Sequence, residues 1–129
     1  MGDIVRIAIV GGGRTGAPLI EDLLKRSYVK IVGIADVDAD SLGARLAKTN
    51  DIFFTDDAMV FATNGHKIDL LIEVSGDATV KRRLKDAFIK EGNRHTIIMH
   101  DLIARLVMTM VTDADELVAS VHPDDVGVG

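Results

Sequence analysis

The sequence predicts an α/β domain: a doubly wound, mostly parallel sheet with helices on both faces, in three layers. Three observations predict it. Short β-branched runs alternate with stretches of helical periodicity, the pattern of βαβ units joined by right-handed crossovers. The apolar runs are nearly continuous rather than alternating, as strands buried on both faces require. The first run stops at three consecutive glycines that open directly into a helical stretch.

Ile4 to Val10 is the first strand, ended by Gly11-Gly12-Gly13. Ala17, Leu19, Ile20, Leu23 and Leu24 then recur at helical spacing, with Glu21, Asp22, Lys25 and Arg26 on the other side. Pro18 falls in the first turn, where its missing N–H has no intrahelical partner to lose. Val29 to Ala35 is a second strand ending at Asp36. Ser41 to Lys48 is a short helix with Asp38 or Asp40 placed to cap it. Ile52-Phe53-Phe54 is a third strand, and Asp57 to Thr63 a helical turn or two closed by Asn64-Gly65. Ile68 to Val74 is a strand interrupted only by Asp69 and Glu73. Ala78 to Glu91 is helical, with Asp77 as N-cap and Gly92-Asn93 as the stop. His95 to Met99 is a fifth strand. From about Leu102 to Val121, Ile103, Leu106, Val107, Met110, Ala114, Leu117, Val118 and Val121 sustain a helical stripe. A break at Asp113 with a sixth strand over Leu117 to Val121 is the alternative; the long helix is preferred because the stripe keeps its phase. The expected plan is one domain over 1–129: a core at about 4–100, a C-terminal helix at 101–121 and a frayed tail at 122–129.

A chain of 129 residues suits a single core. At 47% hydrophobic and 27% charged it is not a disordered chain. With no cysteine it has no thiol nucleophile, thiolate zinc site or iron–sulfur cluster, and it fits a reducing cytoplasm. Fifteen basic against twenty acidic residues leave no concentrated basic surface for nucleic acid. The densest basic cluster, Lys81-Arg82-Arg83 with Lys85, reads as a solvated helix face. No run approaches the ~18 apolar residues of a membrane span. The expectation is a cytoplasmic protein that binds neither nucleic acid nor membrane.

The chemistry begins at Gly11-Gly12-Gly13-Arg14-Thr15-Gly16, which fits G-x-G-x-x-G between a buried strand and a helix. Gly11 permits the sharp turn, Gly13 lets a diphosphate approach the backbone, and Gly16 lets helix and strand pack closely. The helix N-terminus then faces the diphosphate. Asp36 ends the second strand 20 positions after Gly16, where an acidic ligand of the adenosine ribose is expected. Its charge would repel a 2′-phosphate, so NAD(H) is preferred over NADP(H). This is the signature of a Rossmann fold. Arg14 either reaches the diphosphate or is an exposed loop arginine. Ser75 and Gly76, after the fourth strand, lie at the carboxyl edge of the sheet beside the cofactor. The cofactor-binding set is therefore Gly11, Gly13, Arg14, Thr15, Gly16, Asp36, Ser75 and Gly76.

Catalytic candidates are few. His100, at the end of the fifth strand, is the one candidate for a proton relay during hydride transfer. The plainer reading, a strand-end histidine ahead of a helix-capping Asp101, is preferred. His66, His95 and His122 show no pairing suggestive of a metal site. Neither a G-x-S-x-G elbow nor a G-x-x-x-x-G-K-[ST] loop is present, so hydrolysis and phosphate transfer lack support.

The run from Val5 to Gly16, continued by Val32-Gly33-Ile34-Ala35-Asp36-Val37-Asp38, resembles the N-terminal cofactor domain of the glucose–fructose oxidoreductase and inositol dehydrogenase family. The strand leading into Glu73-Val74-Ser75-Gly76 is similar to the corresponding segment of homoserine and aspartate dehydrogenases. The resemblance covers about residues 4–100 and implies a Rossmann domain that binds a nicotinamide dinucleotide. It also implies a Glu-Lys-Pro segment with a catalytic lysine after the fifth strand, where this chain has Met99-His100-Asp101-Leu102-Ile103. The resemblance also implies a C-terminal substrate domain, which these 129 residues are not expected to contain. Similar isolated domains occur fused to bacterial signalling proteins. The leading expectation is therefore an NAD(H)-binding or redox-sensing module. An oxidoreductase completed by another chain or domain, and a purely structural or interaction module, are the alternatives. The apolar stripe of the last helix either packs wholly on its own sheet or pairs with a second subunit.

Overall fold

The computed structural model describes residues 2–13, 15–63 and 67–118. In chain order the elements are β1 (Val5–Val10), α1 (Gly16–Leu23), β2 (Val29–Ala35), α2 (Leu42–Thr49), β3 (Phe54–Thr55), α3 (Val60–Thr63), β4 (Leu70–Glu73), α4 (Ala78–Lys90), β5 (Ile97–Met99) and α5 (Asp101–Val111). The strands form one five-stranded sheet in the order β3-β2-β1-β4-β5, and each pairing is parallel. The chain runs outward from β1 to β3, then crosses back to place β4 on the other side of β1. That reversal leaves a crevice at the carboxyl ends of β1 and β4.

The two-residue period of β1 sorts its side chains between two helical layers. Ile7 and Ile9 pack with Leu19 and Ile20 of α1, Ala47 of α2 and Met108 of α5. Ala8 and Val10 pack with Phe61 of α3 and Leu84 and Phe88 of α4. Burial on both faces accounts for the unbroken apolar runs of β1, β2 and β4.

Three expectations are corrected. The cap of α2 is Ser41, whose hydroxyl accepts the Ala44 N–H at 3.1 Å, rather than Asp38 or Asp40. Asp38 instead accepts the Asp40 N–H within its own turn. The last helix stops at Val111, well short of Val121, and Asp113 adopts φ +56. Its end is polar: the Thr112 hydroxyl donates to Met108 O at 2.8 Å. The chain then folds back, so that the Val118 N–H donates to Thr109 Oγ1 at 3.0 Å. The hydrophobic phase past Asp113 therefore belongs to a returning segment rather than to helix, and the sixth-strand alternative and the tail fall largely outside the described residues. Lys81 is buried (7% exposed), so the basic cluster is not one solvated face. Asn64, Gly65 and His66 lie outside the described residues. Among those described, no helix is long and apolar enough to cross a membrane.

At the amino edge of the sheet, Asp69 joins three strands. Its Oδ2 accepts the Arg6 N–H at 2.8 Å and its Oδ1 lies 2.6 Å from His95 Nε2. Its backbone carbonyl accepts the Ile97 N–H at 3.0 Å. The Arg6 N–H, and next the His95 ring, hold this carboxyl below its ordinary value of 3.8. A carboxylate whose pKa falls on folding stabilises the native state above its unfolded value; that stability is lost as pH drops through the folded one. Asp69→Asn should therefore be less stable than the parent near neutral pH, with the gap closing below 3.8. Urea denaturation across pH checks this, and a pH-independent gap would contradict it.

Candidate functional site

The loop after β1 is built by close backbone contacts. Gly11 leaves the strand at φ +103, and its N–H donates to Ala35 O at 2.8 Å. A Cβ at Gly11 would lie 2.8 Å from Ser75 N, and one at Gly16 only 1.8 Å from Gly11 O. The Gly12 N–H donates to Asp36 Oδ2 at 2.8 Å, while Gly12 O accepts the Gly43 N–H at 2.9 Å. A Cβ at Gly43 would stand 2.5 Å from Gly12 Cα. The loop is thus pinned against β4, α2 and the start of α1. Above Gly13 the space is open: a Cβ there would meet nothing within 4 Å.

That opening belongs to a cleft of about 620 Å³, within the range typical of ligand sites. Gly11, Gly12, Gly13, Thr15, Asp36 and Ser75 all line it. Of the expected site residues, Gly16 is buried behind the loop and Gly76 turns the chain away at φ +78; neither is among the lining residues. Arg14 lies outside the described residues. Thr15 is the N-cap of α1, with no side-chain capping bond. Asp36 is half-buried, with Oδ2 on Gly12 and Oδ1 accepting the Asp38 N–H at 3.0 Å.

His100 is the N-cap residue of α5, half-buried, and does not line the cleft. Asp101 is the first residue of α5, one position inside the expected cap, and its Oδ2 accepts from Arg105 Nε at 2.9 Å. Asp77 caps α4 as expected: Oδ1 accepts the Thr79 N–H at 2.9 Å and the Thr79 hydroxyl at 2.6 Å. Those bonds, the hydroxyl's first, hold its carboxyl below its ordinary value. Among the described residues no group of three or more His, Asp or Glu could hold a metal ion.

Sequence reasoning missed the far wall. Asp38, Asp56 and Asp57 stand at the Asp36 end of the cleft, with Met59 and Val80 as apolar surface. Arg83 is the only cationic side chain among the described lining residues. Gly43 was also missed, although a glycine in the first turn of a helix is a signal of close packing.

This loop, sheet order and helix arrangement define a Rossmann fold. The sequence matches no family model and no curated protein. Solved structures do share the fold. The WlbA dehydrogenase of Chromobacterium violaceum, solved with NADH and UDP-GlcNAcA, aligns with a TM-score of 0.59 at 16% identity, over 88% of this chain and 33% of its own. The scyllo-inositol dehydrogenase of Lactobacillus casei, with NAD(H) and scyllo-inositol, aligns at 0.58 and 17% identity, over 86% and 33%. GenD2 of gentamicin A biosynthesis, with NAD, aligns at 0.52 and 17% identity, over 89% and 40%. The likeness is one of fold, and this chain spans 33–40% of the length of these proteins.

Substitutions at the loop should separate its two kinds of glycine. Gly16→Ala drives a methyl into Gly11 O, and overpacking of this sort costs about 1–3 kcal/mol. Gly13→Ala points into open space and should change stability by less than ~0.5 kcal/mol. Denaturant midpoints check both; equal losses would show that Gly13 is also packed.

Proposed function

We propose that the chain is a single NAD(H)-binding domain of cytoplasmic origin, acting as a cofactor-binding or redox-sensing module. The observation that carries this is the empty space over Gly13, in a loop whose other sides are pinned and whose neighbour Asp36 ends β2. The diphosphate would lie on Gly13 and Thr15 at the N-terminus of α1. The adenosine ribose would donate to Asp36, with adenine against Met59 and Val80. When bound, the nicotinamide supplies hydride transfer; the chain's own residues bind and orient it.

Preference for NAD over NADP is supported by charge. A 2′-phosphate at Asp36 would also stand near Asp38, Asp56 and Asp57, which line the same end. Repulsion there is only partly offset by Arg83. Calorimetry should detect saturable NAD(H) binding. Asp36→Ala should weaken NAD by ~10–100-fold, the worth of hydrogen bonds to a charged group, and narrow the gap to NADP. Unchanged affinity in that variant would contradict the ribose assignment.

A second reading is an NAD-dependent oxidoreductase whose substrate site is completed by a partner chain or a further C-terminal domain; a separate substrate or signalling domain is the partner either reading allows. The length of the fold's dehydrogenase examples favours it, since this chain corresponds to about a third of them. Cofactor reduction across hydroxy acids, sugars and amino acids that appears only when a partner chain or substrate domain is supplied would favour it, and none under either condition would count against it.

Homodimerisation through α5 belongs to the same proposal. Leu102, Ile103, Leu106 and Met110 are 60%, 50%, 49% and 71% exposed on that helix. Its two charged residues, Asp101 and Arg105, pair with each other, so a two-fold contact brings no like charges together. Light scattering should report a dimer that Leu106→Glu converts to a monomer; a concentration-independent monomer in the parent would refute it.

A further inference from the structure

We propose that Asp101, Arg105 and Thr109 form a clasp that holds the chain after α5 by its backbone and turns it back toward the sheet edge that carries the cleft. The proposal deepens the reading in which a further C-terminal domain completes the site, by assigning the edge at which such a domain would join.

The three residues stand at i, i+4 and i+8 on α5, one ridge of the helix, and apart from them α5 is apolar throughout. Asp101 and Thr109 are nonetheless buried, at 7% and 9% exposure. Apolar side chains on that ridge would bury at a lower desolvation cost. Their hydrogen bonds supply a reason for them. Asp101 Oδ2 accepts from Arg105 Nε at 2.9 Å, and Arg105 Nη1 donates to Val118 O at 3.2 Å. Thr109 Oγ1 accepts the Val118 N–H at 3.0 Å and gives its own proton to Arg105 O at 2.7 Å. Side chains of α5 thus take both backbone groups of Val118, as a neighbouring strand would. The helix end does not require this contact. The N–H groups of Thr112, Asp113 and Ala114 bond back to Met108 O, Met110 O and Thr109 O, which closes α5 before the chain reaches residue 118.

The clasp also sets a direction. Asp101 opens α5 two positions after Met99 ends β5, at the carboxyl edge of the sheet, and the helix carries the chain about 16 Å toward the amino edge. The Val118 N–H meets Thr109, while its carbonyl meets Arg105, one turn nearer the start of α5. At Val118 the chain therefore runs antiparallel to α5, toward the edge where Gly13, Asp36 and Ser75 line the cleft. Because the grip is on backbone, the side chain at 118 is immaterial to it. Arg105 is not replaceable by lysine, whose single ammonium lacks the planar fork that reaches Asp101 and Val118 together.

The chain has no cysteine, so Ser120→Cys gives one site for a spin label. In the labelled protein, paramagnetic broadening should fall on amides of the carboxyl edge such as Ser75 and His100, and spare Arg6 and Asp69 at the amino edge. Broadening at the amino edge instead, or at neither, would overturn the proposal. Thr109→Val should speed exchange of the Val118 amide by ~3–10-fold, the worth of one neutral hydrogen bond, and weaken the broadening. Thr109→Ser should preserve both, and Arg105→Lys should behave like Thr109→Val. Unchanged broadening in Thr109→Val and Arg105→Lys would show that the clasp does not direct the chain. If Thr109→Val fails to fold, Val118→Pro removes the same bond from outside the helix. All of these readouts are taken without NAD, so a failure to bind cofactor would refute the dinucleotide reading and is distinct from a failure of the clasp.

Discussion

At the end of β1 the chain passes its neighbours so closely that no side chain fits between them. Gly11 lies against the backbone of Val74 and Ser75, Gly12 against Gly43, and Gly16 against the carbonyl of Gly11. These contacts hold the β1–α1 loop to the ends of β4 and α2 and to the first turn of α1 at once. The loop's shape is therefore fixed by backbone packing, which is stiff, rather than by side chains that can change rotamer. Its one open side, over Gly13, is where a ligand can lie without displacing protein atoms.

Charge then grades the cleft along its length. Asp36 serves two ends: one oxygen anchors the loop through the Gly12 N–H, and the carboxylate lines the cleft together with Asp38, Asp56 and Asp57. At the loop itself the N-terminus of α1 favours negative charge. Beyond it, the buried Glu73 holds the start of the β4–α4 connection by accepting the Ser75 N–H. An acidic stretch after β2 and the anion-favouring helix end after β1 therefore adjoin within one cleft.

Much of this was legible in the sequence because its cause is local. Burial on both faces makes β1, β2 and β4 continuous apolar runs, and glycine at 11, 13 and 16 states the loop directly. Asp36 was readable because a fixed helix length separates it from the loop. The far wall was not readable: Asp57 and Met59 come from the turn before α3, Val80 and Arg83 from α4, and they meet Asp36 only through the crossover. Glu73 looked like an interruption of a strand, since its partner Ser75 lies past the strand's end. The C-terminal helix was overdrawn because an apolar stripe in phase cannot reveal that the Thr112 and Asp113 backbone turns back on the helix.

The central claim is that the pinned loop and the ends of β2 and β4 form one dinucleotide site. Titration of the ¹⁵N-labelled protein with NAD, followed by amide chemical shifts, tests it most directly. The account predicts saturable shifts concentrated at Gly12, Gly13, Thr15, Asp36 and Ser75, with α5 unaffected. Shifts absent from these amides at saturating NAD, or centred on another face, would contradict it.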